Sequence, residues 1–185
     1  MGRRYKKERE LREMFLVFCE GQTEKEYVEL LKRHYRLPIT IKTKVSGANI
    51  NQRFVDQCVR ELSLTRNEKC RIFYIYDADV DAVIEKLTAL KGTVVLSNPC
   101  VELWFLLHTK DFIKHVNSSE VIKVLAQSGA CWKNYRKGYL SADQQKILID
   151  KRQNAVGRAN KLQYPANPSS NIYKFIEALE NVKIG

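Results

Sequence analysis

Residues 14–24 read MFLVFCEGQTE. Met14 to Cys19 is an unbroken apolar run of six residues, and such a run bounded by charge and glycine reads as a buried strand. Glu20-Gly21 then turns the chain. Thr23 is a suitable N-cap and Glu26 stands three residues on, as in a capping box. A helix is predicted to follow, with Tyr27, Leu30, Leu31 and Tyr35 on one face and Pro38 as its stop.

On either side of this unit the same grammar repeats. Ile39–Val45 alternates apolar and polar residues, a half-exposed strand, and Gly47 and Asn49 break it. A second helix is predicted over Asn51–Leu64. Arg71–Tyr76 (RIFYIY) is a second buried strand that ends at Asp77. Val80–Leu90 gives a third helix, Gly92 stops it, and Thr93–Leu96 is a further short strand. Strand and helix alternate, which implies an α/β domain with a largely parallel sheet and right-handed crossovers. From Pro99 the texture turns helical, with helices predicted over Val101–His108, Ser118–Gln127, Ala142–Leu162 and Pro168–Val182. Cys131–Tyr139 (CWKNYRKGY) is aromatic, basic and glycine-bearing, and reads as a loop. A single domain over 1–185 is expected, with an α/β core over about 12–98 and a mostly helical portion over about 99–185 packed on it. Arg3, Arg4, Lys6, Lys7 and Arg9 read as a solvated arm or a frayed helix start.

Lysine and arginine number 32 against 21 acidic residues, a formal charge of +11. That excess favours a polyanionic partner such as nucleic acid, because each basic contact to a phosphate releases counterions. The five cysteines form no C-x-x-C pair, and zinc-site spacing is absent. Cys19, Cys58 and Cys70 sit in apolar contexts and read as buried free thiols of a reducing compartment. The longest apolar stretch, Val101–Leu107, is interrupted by Glu102 and is far short of a membrane span; with no apolar leader at the N-terminus, a cytoplasmic location is expected. The G-x-x-x-x-G-K-[ST] phosphate loop does not occur, so any ATP coupling needs a partner.

The chemistry-bearing pattern is acidic. In open α/β sheets, sites gather at the carboxyl ends of strands. The first buried strand delivers Glu20 there, and the second delivers Asp77 and Asp79, which share a side if the chain stays extended. Carboxylates this close repel by roughly 4 kcal/mol per pair at ~4 Å and an effective dielectric of 20, so protonation, a basic neighbour or a cation must offset them. Oxygen-only ligands suit Mg²⁺ or Mn²⁺. Glu24 and Glu26 are equally at home as first-turn helix charges. Glu102 breaks an apolar run, which marks either a solvent-facing or lysine-paired helix start, or a functional acid. Ser97 and Asn98 suit a helix cap or a phosphate contact. Lys133, Arg136 and Lys137 interleave with Trp132, Tyr135 and Tyr139, a mixture that serves for gripping phosphate and stacking bases or for packing the loop on the core. His34, His108 and His115 lack metal spacing and read as structural or surface residues, and Arg152 and Arg158 as a basic face or solvated charges.

A strand ending in Glu-Gly-x-Thr-Glu (Glu20–Glu24) followed by one ending in Asp-x-Asp (Asp77–Asp79) resembles the Toprim fold of topoisomerases, bacterial primases and overcoming-lysogenization-defect nucleases. Ser97-Asn98-Pro99-Cys100-Val101-Glu102-Leu103-Trp104-Phe105-Leu106-Leu107-His108 is similar to a segment of RloB-like proteins, as are Tyr135-Arg136-Lys137-Gly138 and Asn167-Pro168-Ser169-Ser170-Asn171. The resemblance spans nearly the whole chain. It implies a Toprim-like, mainly parallel sheet flanked by helices, with Glu20, Glu24, Asp77 and Asp79 as Mg²⁺ or Mn²⁺ ligands. It also implies a link to prokaryotic restriction and abortive-infection loci, often beside an ABC-type ATPase that resembles the overcoming-lysogenization-defect proteins.

The expected activity is metal-dependent cleavage or transfer at a nucleic-acid phosphodiester. Glu20, Asp77, Asp79 and Glu102 are the catalytic candidates, and Ser97, Asn98, Lys133, Arg136 and Lys137 the nucleic-acid contacts. Two alternatives stand beside it. One is a non-catalytic nucleic-acid-binding or regulatory partner of the ATPase. The other is a receiver-like domain phosphorylated at Asp77.

Overall fold

The computed structural model describes residues 12–65 and 68–182. The basic run Arg3–Arg9 lies outside the described residues. Strand β1 (Arg12–Cys19) leads into helix α1 (Gln22–Tyr35), β2 (Thr40–Val45), α2 (Gln52–Glu61), β3 (Glu68–Asp77), α3 (Asp81–Ala89) and β4 (Thr93–Asn98). Helices α4 (Val101–Leu107), α5 (Ser118–Ala126), α6 (Ala142–Asp150) and α7 (Arg152–Ala159) follow, then a short β5 (Ser169–Ser170) and α8 (Tyr173–Glu180). The sheet runs β2-β1-β3-β4-β5, with parallel pairing throughout except the antiparallel β5. The expected α/β architecture is therefore present.

The central position of β1 explains its composition. Phe15, Val17 and Cys19 point to one face, and Leu16 and Phe18 to the other. Both faces are covered, so both phases of the pleat must be apolar, and alternation disappears. Strand β3 repeats this, with Phe73 and Ile75 on the first face and Tyr74 and Tyr76 on the second. Helices α2 and α3 close the second face through Val55, Cys58, Val83 and Leu87. Helix α1 and the C-terminal helices α4 to α8 pack on the first. Helix α4 is buried along its whole length, Val101 to Leu107, which is why nearly every residue in it is apolar.

Four local expectations are corrected. Thr23 is not the cap of α1; Gly21 is, and Glu24 rather than Glu26 reaches back to it, its carboxylate accepting from the Gly21 amide at 2.8 Å. The predicted helix over Ala142–Leu162 is two helices that meet at Lys151, where Arg152 turns to the Ile149 carbonyl, the Tyr35 ring and Glu180. Those tertiary contacts override a sequence of good helix formers. Residues 168–182 begin as strand, not helix: Asn171 accepts from the Leu96 amide through its side chain and donates to the Leu96 carbonyl through its backbone, so β5 adds to the open edge of β4. Arg152 and Arg158 are not a basic face either, because Arg158 donates to the Leu107 carbonyl at 2.6 Å and faces Asp111.

Candidate functional site

Strands β1 and β3 are neighbours in register, Cys19 beside Ile75, so their carboxyl ends emerge together. Glu20 follows directly from β1, and its Oε2 accepts from the Asp77 amide at 2.9 Å. Asp77 closes β3, and its Oδ1 accepts from the Val101 amide at 2.8 Å, which ties the strand end to α4. Glu24 stands one turn into α1, buried against the Gly21 amide. Together with Lys137 they line a pocket of about 260 Å³, walled by backbone at Gly21 and Gly138.

Glu102 lies behind that pocket with 0% of its surface exposed. Helix α4 carries it because Asp77 holds the start of the helix and the rest of α4 is core. Its Oε1 accepts from the Tyr135 hydroxyl at 2.8 Å and lies 3.7 Å from the Lys137 ammonium. Its Oε2 is buried as well, and the Cys100 thiol is a further hydrogen-bonding neighbour of the carboxylate.

The acids act on one another. Burial, then the charges of Glu24, Glu20 and Glu102, push Asp77 up to about 9 from its ordinary 3.8, against a smaller opposing effect of the Val101 amide. Burial raises Glu20, opposed by the Asp77 amide and reinforced by Asp79. Burial also raises Glu24, with Glu102 and Glu20 adding to it against the opposing amide bonds. Lys137 feels the opposite field: its own desolvation is outweighed by Glu102 and Asp77, which hold the ammonium more firmly protonated. The site is thus an anionic well from three chain segments, with Lys137 at its mouth.

The remaining candidates separate. Asp79 is exposed and lines a neighbouring open cavity of about 750 Å³ with Asn98, Pro99 and Asn117, although its charge still reaches Glu20. The strand ends at Asp77, so the alternation that would bring Asp79 alongside it ends there too. Ser97 is buried, its hydroxyl bonded to Ser170 at 2.9 Å, and Asn98 donates to the Pro165 carbonyl; the cap of α4 is Cys100, so neither residue caps that helix. Lys133, Arg136 and Lys137 are all exposed. Trp132 is wholly buried, stacked on Phe105, and Tyr135 packs edge-on to both rings. Sequence reasoning weighed Tyr135 only as a stacking or packing residue. Its role as the hydrogen-bond donor to a carboxylate 33 positions away has no local signal.

Among the described residues, no three His, Cys, Asp or Glu side chains stand close enough together to enclose a metal ion. No helix among them is long and apolar enough to cross a membrane. A family model described as RloB-like protein matches residues 15–179, most of the chain. No curated protein and no solved structure matches.

Proposed function

The chain belongs to the RloB-like family, and from that premise we propose that it is a Mg²⁺- or Mn²⁺-dependent nuclease, or a related phosphodiester-transfer enzyme, working at the Glu20–Asp77 pocket. One observation carries the reading. Four carboxylates from three chain segments, Glu20 and Glu24, Asp77, and Glu102, converge with partial to complete burial around Lys137. Clustered perturbed acids in a cleft are uncommon outside functional sites, because their mutual repulsion destabilises the fold.

The donor set fits a hard divalent cation. It is all oxygen, and hydrogen bonds to protein use one oxygen of each acid: Glu20 Oε2, Glu24 Oε2, Asp77 Oδ1 and Glu102 Oε1. Mg²⁺ commonly takes only one or two carboxylates and completes its shell with water and substrate phosphate, so a closed protein cage is not required. Glu20 and Asp77 would hold the ion, with Glu24 beside them and Asp79 at the rim. When bound, such an ion supplies Lewis-acid polarisation of a phosphoryl oxygen and a more acidic water.

The chain's own groups supply the rest. Amides at Asp77 and Val101 fix the Glu20 and Asp77 carboxylates, so neither rotamer is lost on binding. Tyr135 orients Glu102, which is set to accept a proton from an attacking water or to hold a second ion. Lys137, half exposed, can leave Glu102 for a phosphate oxygen and neutralise charge as it develops. Lys133 and Arg136 extend the basic rim along a nucleic-acid backbone. The family likeness supports a place as effector of a prokaryotic anti-phage system beside an ABC-type ATPase.

The test is incubation of purified protein with DNA and RNA in Mg²⁺ or Mn²⁺. Metal-dependent cleavage lost in both Glu20→Gln and Asp77→Asn is expected; cleavage surviving both substitutions would reject this site. The spacing of the acids, too open to enclose an ion, favours a second reading: a regulatory nucleic-acid-binding partner of the ATPase. Salt-sensitive, metal-independent binding without turnover, even with the ATPase present, is its signature.

A further inference from the structure

The aromatic residues of the Trp132–Tyr139 segment divide sharply. Trp132 and Tyr135 are spent on the core, against Phe105. Tyr139 is 63% exposed, and among the described residues its ring meets no other aromatic ring and no cation. Of the exposed large apolar side chains among the described residues, Tyr139 is the aromatic one in the segment that walls the acid pocket, with its apolar face and polar tip both open to a ligand.

The backbone under Tyr139 is held in place. Arg136 and Tyr139 pair across a tight antiparallel turn, with the Tyr139 amide donating to the Arg136 carbonyl at 3.3 Å. Gly138, at φ +76, takes the left-handed conformation that glycine favours, and a Cβ there would stand 3.1 Å from Gln22 Cβ. Its amide donates to the buried Thr23 hydroxyl at 2.9 Å. The turn is therefore seated on the first turn of α1, and two of its residues, Lys137 and Gly138, form a wall of the acid pocket. Tyr139 stands one residue from that wall. Arg136 is exposed across the turn from it, Lys133 is exposed earlier in the same segment, and among the described residues neither enters a salt bridge.

An exposed ring on a fixed turn, paired across that turn with an exposed arginine and next to the acid pocket, matches unpaired nucleotides. The base offers a π-face to the ring and the backbone offers phosphates to the cations. A duplex hides the π-faces of its bases in the stack, where a tyrosine ring cannot reach them. We propose that the Arg136–Tyr139 turn is a single-strand clamp: Tyr139 stacks on an unpaired base, DNA or RNA, and Arg136 takes the adjoining phosphate. The substrate of this site is then a single-stranded segment. This rests on the nucleic-acid reading of the pocket, but not on turnover.

Binding without cleavage tests it. Fluorescence anisotropy in EDTA is measured for the full chain with labelled single-stranded DNA, single-stranded RNA and a duplex of the same sequence. Tyr139→Ala is expected to weaken single-strand binding about 5- to 100-fold, the loss typical of one stacked base, with duplex binding changed less than about twofold. Tyr139→Trp is expected to restore it, and Arg136→Gln to weaken it with a shallower salt dependence. The two single-stranded probes tell the DNA and RNA sources apart. Single-strand affinity unchanged in Tyr139→Ala, or equal losses for single strand and duplex, would overturn the clamp. Failure of cleavage in Mg²⁺ leaves this result standing, and failure here leaves the metal pocket standing.

Discussion

Replacing Asp77 by asparagine should stabilise the metal-free protein while removing its activity, and the gain should grow with pH. The reason lies in the position of Asp77, half-buried and facing Glu24, Glu20 and Glu102: desolvation first, then those charges, push it up to about 9 from 3.8. In the unfolded chain the group ionises near its ordinary value; in the folded chain it keeps its proton. Between those limits the native state binds the extra proton, so stability falls as pH rises, by at most about 1.4 kcal/mol per pH unit. The penalty is absent below about pH 4, accumulates through neutrality, and is complete above about pH 9. Glu20 and Glu24 shift in the same direction and add to the trend. Asparagine keeps the oxygen that accepts from Val101 and carries no charge to bury. Allowing for water at the pocket mouth, the variant should gain about 1–3 kcal/mol on wild type between pH 5 and pH 8, or roughly 3–10 °C in Tm. Thermal unfolding followed by circular dichroism in EDTA at pH 5, 6.5 and 8 measures it. Mg²⁺ at pH 8 should raise the Tm of the wild type and leave the variant unmoved. A difference between the two proteins that stays flat, or that shifts in favour of wild type as pH rises, refutes the reasoning.

Three further outcomes are expected. Tyr135→Phe removes the hydroxyl donor to the buried Glu102 and should cost about 1–3 kcal/mol in urea unfolding, because a carboxylate oxygen is left under-satisfied. Lys137→Gln deletes the cation that faces the buried Glu102 and should lower the cleavage rate about 10- to 100-fold at saturating metal, read by gel or fluorescent substrate, together with a lower Tm. Trp132→Ala empties a site stacked on Phe105 and should destabilise by about 3–5 kcal/mol, which thermal melts resolve easily.

The sheet was legible because its central strands are short, continuous and apolar on both pleat phases; Met14–Cys19 and Phe73–Tyr76 admit little else. The acids at their ends followed, since chain direction and strand adjacency fix which rim they share. The sequence did not separate Asp79 from Asp77, because the spacing of two holds only while the strand lasts, and β3 stops at Asp77. It hid β5, a two-residue edge strand whose pairing depends on the Asn171 carboxamide reaching Leu96. It hid the break at Lys151, which comes from Arg152 bonding across to α1 and α8 and not from any helix breaker. Glu102 was legible as an anomaly in an apolar run, but its partners Tyr135 and Lys137 arrive through tertiary packing of a loop more than thirty residues away. Local patterns report burial and period, whereas a polar pair across the core reports only the finished fold.

The most direct measurement is a Mn²⁺ titration of the full chain followed by electron paramagnetic resonance, with wild type compared with Glu20→Gln and Asp77→Asn at pH 7.5. Wild type is expected to bind at least one Mn²⁺ in competition with Mg²⁺, and each substitution to weaken that binding at least tenfold. Wild type that binds no Mn²⁺, or variants that bind it as tightly as wild type, would contradict the claim that these acids gather around a divalent cation.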